Sequence, residues 1–116
     1  MKIRIIVENQ EMTAVLEDTP AARQFSGMLP LDLSLEDFHA IEKVADLPDR
    51  LSTDEAPDGY DPDIGDITYY APWGNLAIFY RDSGYARGLV SLGRIEGSID
   101  ALQQPGPLAA RIERVE

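Results

Sequence analysis

Short runs in which every second residue is apolar recur along the chain, without the regularly alternating helices that a parallel sheet needs for its crossovers. A period of two sends successive side chains to opposite faces of an extended strand, so each run must find neighbours that bury its apolar face. Lys2 to Glu8 carries Ile3, Ile5, Ile6 and Val7, and Met12 to Glu17 carries Met12, Ala14 and Leu16 on one face, with polar residues 8–11 between. This pair predicts a hairpin. Ile67 and Tyr69 face Leu76, Ile78 and Tyr80 across Ala71, Pro72, Trp73 and Gly74, which predicts a second one with a compact turn. Leu31, Leu33 and Leu35 alternate with Asp32, Ser34 and Glu36, Leu89 to Ile95 reads as another strand, and Leu108 to Val115 closes the chain as the last. Phe38 to Leu47 fits a helical spacing as well, but the extended patterns on both sides favour strand.

Helical signals are confined to two places. Asp18 and Thr19 offer an N-cap ahead of Pro20, and Ala21, Ala22, Phe25 and Met28 follow at helical spacing, so a helix over 20–28 is expected, stopped by Pro30. Ser98 caps a second, shorter helix with Ile99, Ala101 and Leu102, broken by Pro105, Gly106 and Pro107. Many short strands with two isolated helices predict a mainly β domain spanning residues 1–116, a closed or nearly closed barrel rather than a layered α/β sheet. Phe25 and Ile78 are expected in the same core.

Composition removes several function classes. Ten Lys and Arg against 21 Asp and Glu give a net charge of −11, a surface that repels phosphate backbones, so nucleic acid and anionic membrane are poor partners. The absence of cysteine excludes disulfides and thiol chemistry, and the single His39 leaves any transition-metal site to carboxylates, so neither metal nor cofactor is expected. No serine stands in a nucleophile-elbow spacing. Eight acids between Asp46 and Asp66 raise the question of calcium, but residues 58–63 lack the EF-hand order, and the segment reads as a solvated loop. The first apolar run is too short for a signal-peptide core and no run approaches a membrane span, which makes the cytoplasm the expected location.

Three segments carry a family resemblance. GDITYYAPWGNLAIFY at 65–80, LVSLGRIEGSIDAL at 89–102, and the opening hairpin leading into a helix with Pro20, Ala21 and Phe25 together resemble the cyclophilin-like fold family, and most closely its small prokaryotic branch. The resemblance implies an eight-stranded, mostly antiparallel barrel with a short capping helix at each end. In the prolyl isomerases of that family an arginine beside a hydrophobic pocket stabilises the twisted amide, and it follows a Phe-His pair. Here Phe38 and His39 are followed by Ala40, and the glutamine- and glycine-containing stretch that should come next is replaced by the acidic segment 46–63. The expected function is therefore a binding domain for a small molecule or short peptide, without efficient prolyl isomerisation. A diverged isomerase and a structural, dimerising domain are the alternatives, and the chain is expected to be a monomer or homodimer.

Adjacent aromatics on strands face opposite ways, so one of Tyr69 and Tyr70, and one of Phe79 and Tyr80, should enter the core and leave the other outside. Trp73, at a chain reversal, is expected to be partly exposed, and Arg81 and Arg87 to pair locally. The candidate ligand-binding residues are Phe38, His39, Glu42, Tyr70, Trp73, Tyr80 and Arg81.

Overall fold

In chain order the elements are β1 (Lys2–Val7), β2 (Gln10–Leu16), α1 (Pro20–Ser26), β3 (Leu31–Phe38), β4 (Glu42–Asp46), β5 (Gly59–Tyr60), β6 (Asp66–Tyr70), β7 (Asn75–Phe79), β8 (Ala86–Arg87), β9 (Leu89–Glu96), a 3₁₀ turn (Asp100–Gln103) and β10 (Leu108–Arg114). They are those of a computed structural model that describes residues 1–115. Eight strands close into a barrel in the order β1-β10-β3-β4-β7-β6-β9-β2, and every neighbouring pair is antiparallel. Closure leaves the barrel no edge to protect. The two remaining strands, β5 and β8, form a separate ribbon. Among the described residues no helix is long and apolar enough to cross a membrane.

The period-two positions fill the interior. Ile3, Ile5, Val7, Ala14, Leu16, Leu35, Ile67, Tyr69, Leu76, Ile78, Leu92 and Ile112 are buried in one cluster, which Phe25 joins from α1. Phe25 and Ile78 do share that core. Antiparallel β2 and β9 leave the barrel at opposite ends, so α1, which follows Leu16, and the 3₁₀ turn, which follows Glu96, belong to opposite mouths. Thr19 caps α1 by accepting the Ala22 N–H at 3.2 Å, with Pro20 in its first turn.

The structure departs from the sequence reading at five places. The stretch 38–47 is not one strand, because His39 (φ 54°) and Ala40 (φ 55°) make a two-residue left-handed turn between β3 and β4. The turn of the first hairpin is likewise only Glu8 and Asn9. The second helix is only a four-residue 3₁₀ turn beginning at Asp100, whose amide donates to Ser98 Oγ at 3.1 Å, and α1 ends at Ser26 rather than Met28. Finally, 46–66 is not wholly a solvated loop, since Leu51, Pro62 and Asp66 are buried and Gly59–Tyr60 pairs with Ala86–Arg87.

Candidate functional site

The outer face of β4, β7 and β6 carries an apolar surface of its own. Register places Val44 against Ala77 and Glu42 against Phe79, and on the other side of β7 Tyr70 stands against Asn75. Ala77, Phe79 and Leu89 are buried there, with Ile41, Val44, Tyr60, Tyr70 and Ala86 packed on them. Tyr60 and Ala86 belong to the β5–β8 ribbon, which therefore covers this part of the barrel wall.

Beside the ribbon the aromatic residues form a connected surface. The Trp73 ring lies edge-on to Phe38 (5.5 Å, 86°) and to Tyr70 (5.4 Å, 81°), and Phe38 contacts His39 at 4.2 Å. Edge-to-face geometry at such separations is favourable for aromatic quadrupoles. Trp73 is nonetheless 58% exposed. Its turn is fixed from several sides. The Trp73 and Gly74 amides donate to the Tyr70 carbonyl, Gly74 takes φ +70°, and Arg50 Nη1 donates to the Ala71 carbonyl at 2.9 Å. Gly88, at φ +86°, lies so close to Pro72 that a Cβ there would stand 2.8 Å from the proline Cδ.

Four of the seven candidate residues, Phe38, His39, Tyr70 and Trp73, are thus joined in one surface. Glu42 adjoins it, opposite Phe38 in the β3–β4 ladder, and burial raises its carboxyl above the usual range. Tyr80 does not join, because its ring is buried in the barrel core and its hydroxyl donates to Asp37 Oδ1. Arg81 is exposed, and neither it nor Arg87 closes an ion pair among the described residues, contrary to the expected local pairing. Of the adjacent aromatics, Tyr69 and Tyr80 point into the barrel core, while Tyr70 and Phe79 pack on the outer cluster.

The burial of several polar groups carries little signal in the sequence. Asn75 opens β7 on the outer face, since Leu76 faces the core, and its buried Oδ1 has no hydrogen-bond partner among the described residues. Its signal was a polar residue at the head of the apolar run NLAIF. Asp66 is 1% exposed and accepts from the Tyr60 hydroxyl (2.5 Å), the Asp63 amide (2.8 Å) and Arg94 Nε (3.2 Å). Burial, and then the bond to Asp66, pushes Tyr60 up to about 12. Beside Trp73 the surface is only shallowly concave, a hollow of about 370 Å³ shared with residues 46–50 and Gly74. Among the described residues no group of three or more His, Asp or Glu side chains converges as a metal site.

The cyclophilin-like family model matches residues 5–113. The chain belongs to the cyclophilin-like family. Among solved structures, this cyclophilin-like domain is similar to a hypothetical protein of Archaeoglobus fulgidus determined in solution. The two share 20% identity with a TM-score of 0.75, over 99% of this chain and 95% of that one. It is also similar to McbB, solved in complex with tryptophan, at 16% identity and a TM-score of 0.59, over 97% of this chain and 44% of McbB. At these identities the likeness concerns the fold. None of the curated proteins compared matches the chain.

Proposed function

We propose that this cyclophilin-like domain is a binding module whose outer barrel face, centred on Trp73, takes a short peptide or a flat small molecule, and that it does not efficiently isomerise prolyl bonds. The carrying observation is a tryptophan that is 58% exposed yet held edge-on between Phe38 and Tyr70. A large amphipathic ring kept in water on a fixed turn leaves one face free to stack on a proline, an aromatic group or a cation. The complex of McbB with tryptophan is compatible with the small-molecule form of this reading.

The reading against isomerisation rests on donors. Prolyl isomerases need a cation or strong donor aimed at the twisting amide, a group stronger in the transition state than in the ground state. Next to the Phe38–His39 pair stands Ala40, in a left-handed turn, and Arg50 is engaged with the Ala71 carbonyl. Arg81, which closes no ion pair among the described residues, is the nearest such cation in sequence to the strand that carries Phe79.

Titration of the ¹⁵N-labelled domain with an Ala-Ala-Pro-Phe tetrapeptide, and separately with tryptophan, tests the proposal. At least one ligand should shift amides in 38–42 and 70–75, and Trp73→Ala should abolish the effect. A protease-coupled assay should show no acceleration of Xaa-Pro isomerisation. Shifts centred elsewhere, no shifts with either ligand, or turnover that disappears in Arg81→Ala would each overturn the corresponding part.

A further inference from the structure

We propose that the domain has a second binding site, a groove between the start of α1, residues 54–57 and the first residues of β9 (89–91), which takes a small organic cation with an apolar body, such as an arylalkyl amine. The groove has a volume of about 470 Å³, within the roughly 300–1,000 Å³ of small-molecule sites. It is larger than the hollow beside Trp73 and lies on the α1 side of the β5–β8 ribbon, with neither Phe38 nor Trp73 in its wall.

Its walls and rim differ in chemistry. Pro20, Ala56 and Pro57 supply the accessible apolar surface, over a floor of buried Ala21, Leu89 and Val90, and would cover the body of a ligand. Glu17, Asp18, Asp54 and Glu55 supply four carboxylates, and no lysine or arginine lines the groove. Two of these acids are already engaged: Asp18 is paired with Arg23 at 2.5 Å, and Glu17 accepts from the Ser91 hydroxyl. Asp54 and Glu55 form no ion pair among the described residues. The turn that presents them is defined, with the Asp54 amide donating to Ser52 Oγ and the Ala56 amide to the Thr53 carbonyl.

The chemistry of the occupant follows from that layout. The acids ring the groove without converging as a metal site, so a compact ion would find no coordination shell there. An anion would meet carboxylates at the rim, only one of them paired with a cation. A neutral apolar molecule would gain from the walls but would leave the rim unmatched. A protonated amine on a short apolar stem satisfies both, with the ring against Pro20, Ala56 and Pro57 and the ammonium at the rim.

Three ligands of similar shape and different charge separate these possibilities: 2-phenylethylamine, 2-phenylethanol and phenylacetate, titrated into the ¹⁵N-labelled full chain at low salt. The amine should shift amides in 21, 54–56 and 89–91 saturably, bind about fivefold tighter than the alcohol, and lose that advantage at high salt. Phenylacetate should not bind. The exposed pair Asp54→Asn with Glu55→Gln should bring the amine down to the alcohol's affinity and leave the alcohol unchanged, and Trp73→Ala should affect neither. Equal binding of amine and alcohol, an unchanged amine affinity in the double variant, or non-saturating shifts scattered over surface carboxylates would overturn the proposal. The Trp73 surface is read by a different variant and different amides, so either site can fail alone.

Discussion

Lys43 is completely buried, on the face of β4 that turns inward with Ala45. Its ammonium donates to the Gln104 carbonyl at 2.7 Å, lies 3.4 Å from Asp37 Oδ1 and sits 5.3 Å from the centre of the Tyr80 ring. Asp37 also accepts the Tyr80 hydroxyl. That bond first, and then Lys43, holds the Asp37 carboxyl below its ordinary value, while burial and then Asp37 push Tyr80 up to about 12. Because Asp37 is depressed in the folded state, its stabilisation is complete above an ordinary carboxylate pKa and is lost as pH falls through the lowered one. The pair is asymmetric: Lys43 has no water to fall back on, whereas Asp37 is 40% exposed. Lys43→Met, which removes a buried charge and keeps its volume, should change stability by less than about 1 kcal/mol. Asp37→Leu strands the ammonium on one carbonyl and should cost about 2–3 kcal/mol. Urea midpoints at neutral pH decide this, and a Lys43→Met more damaging than Asp37→Leu would contradict it. Lys43 was hidden in the sequence because 38–47 fits a helical spacing too, so its inward face could not be assigned.

β9 joins β2 to β6, and Gly93 permits that connection. A Cβ there would overlap the Val15 carbonyl oxygen and stand 2.9 Å from Leu16 Cα. Opposite it the ladder slips, with Ile67 facing Gly93 but Thr68 facing Ser91, so Leu92 is the extra residue of a bulge. Gly93→Ala should cost about 3 kcal/mol by overpacking against backbone that cannot yield. Gly97→Ala meets nothing within 4 Å and suffers only from its φ of +86°, so it should cost about 1 kcal/mol. Denaturation midpoints showing Gly97→Ala as the costlier change would refute this view of the β2–β9 seam. The hairpins β1–β2 and β6–β7 were legible because one apolar face per strand leaves little choice of register. The His39–Ala40 turn was not, since two non-glycine residues take left-handed φ there without the Asn-Gly signal such turns usually carry. The ribbon strands are two residues each, too short for any period to show.

Barrel closure decides what the molecule can present. Phe38 and Trp73 lie far apart in the chain and meet because β4 is inserted between β3 and β7, an order that no local pattern encodes. The exposure of Trp73 was readable from its place in the Pro72–Trp73–Gly74 turn, and Phe38 stood out through the Phe-His pair, but their contact depended on topology. The same holds for the groove at α1, whose walls come from segments as distant as Pro20, Ala56 and Leu89. The chain carries one tryptophan, so the fluorescence of the whole molecule reports the surface on which the proposed function rests. In the free domain Trp73 emission should be red-shifted and readily quenched by acrylamide, and saturation with the Ala-Ala-Pro-Phe peptide or another ligand of this face should shift it to the blue and protect it. Emission that is already blue and resistant to quencher in the free protein, or that stays unchanged under saturating ligand, would contradict the assignment of this face as the binding surface.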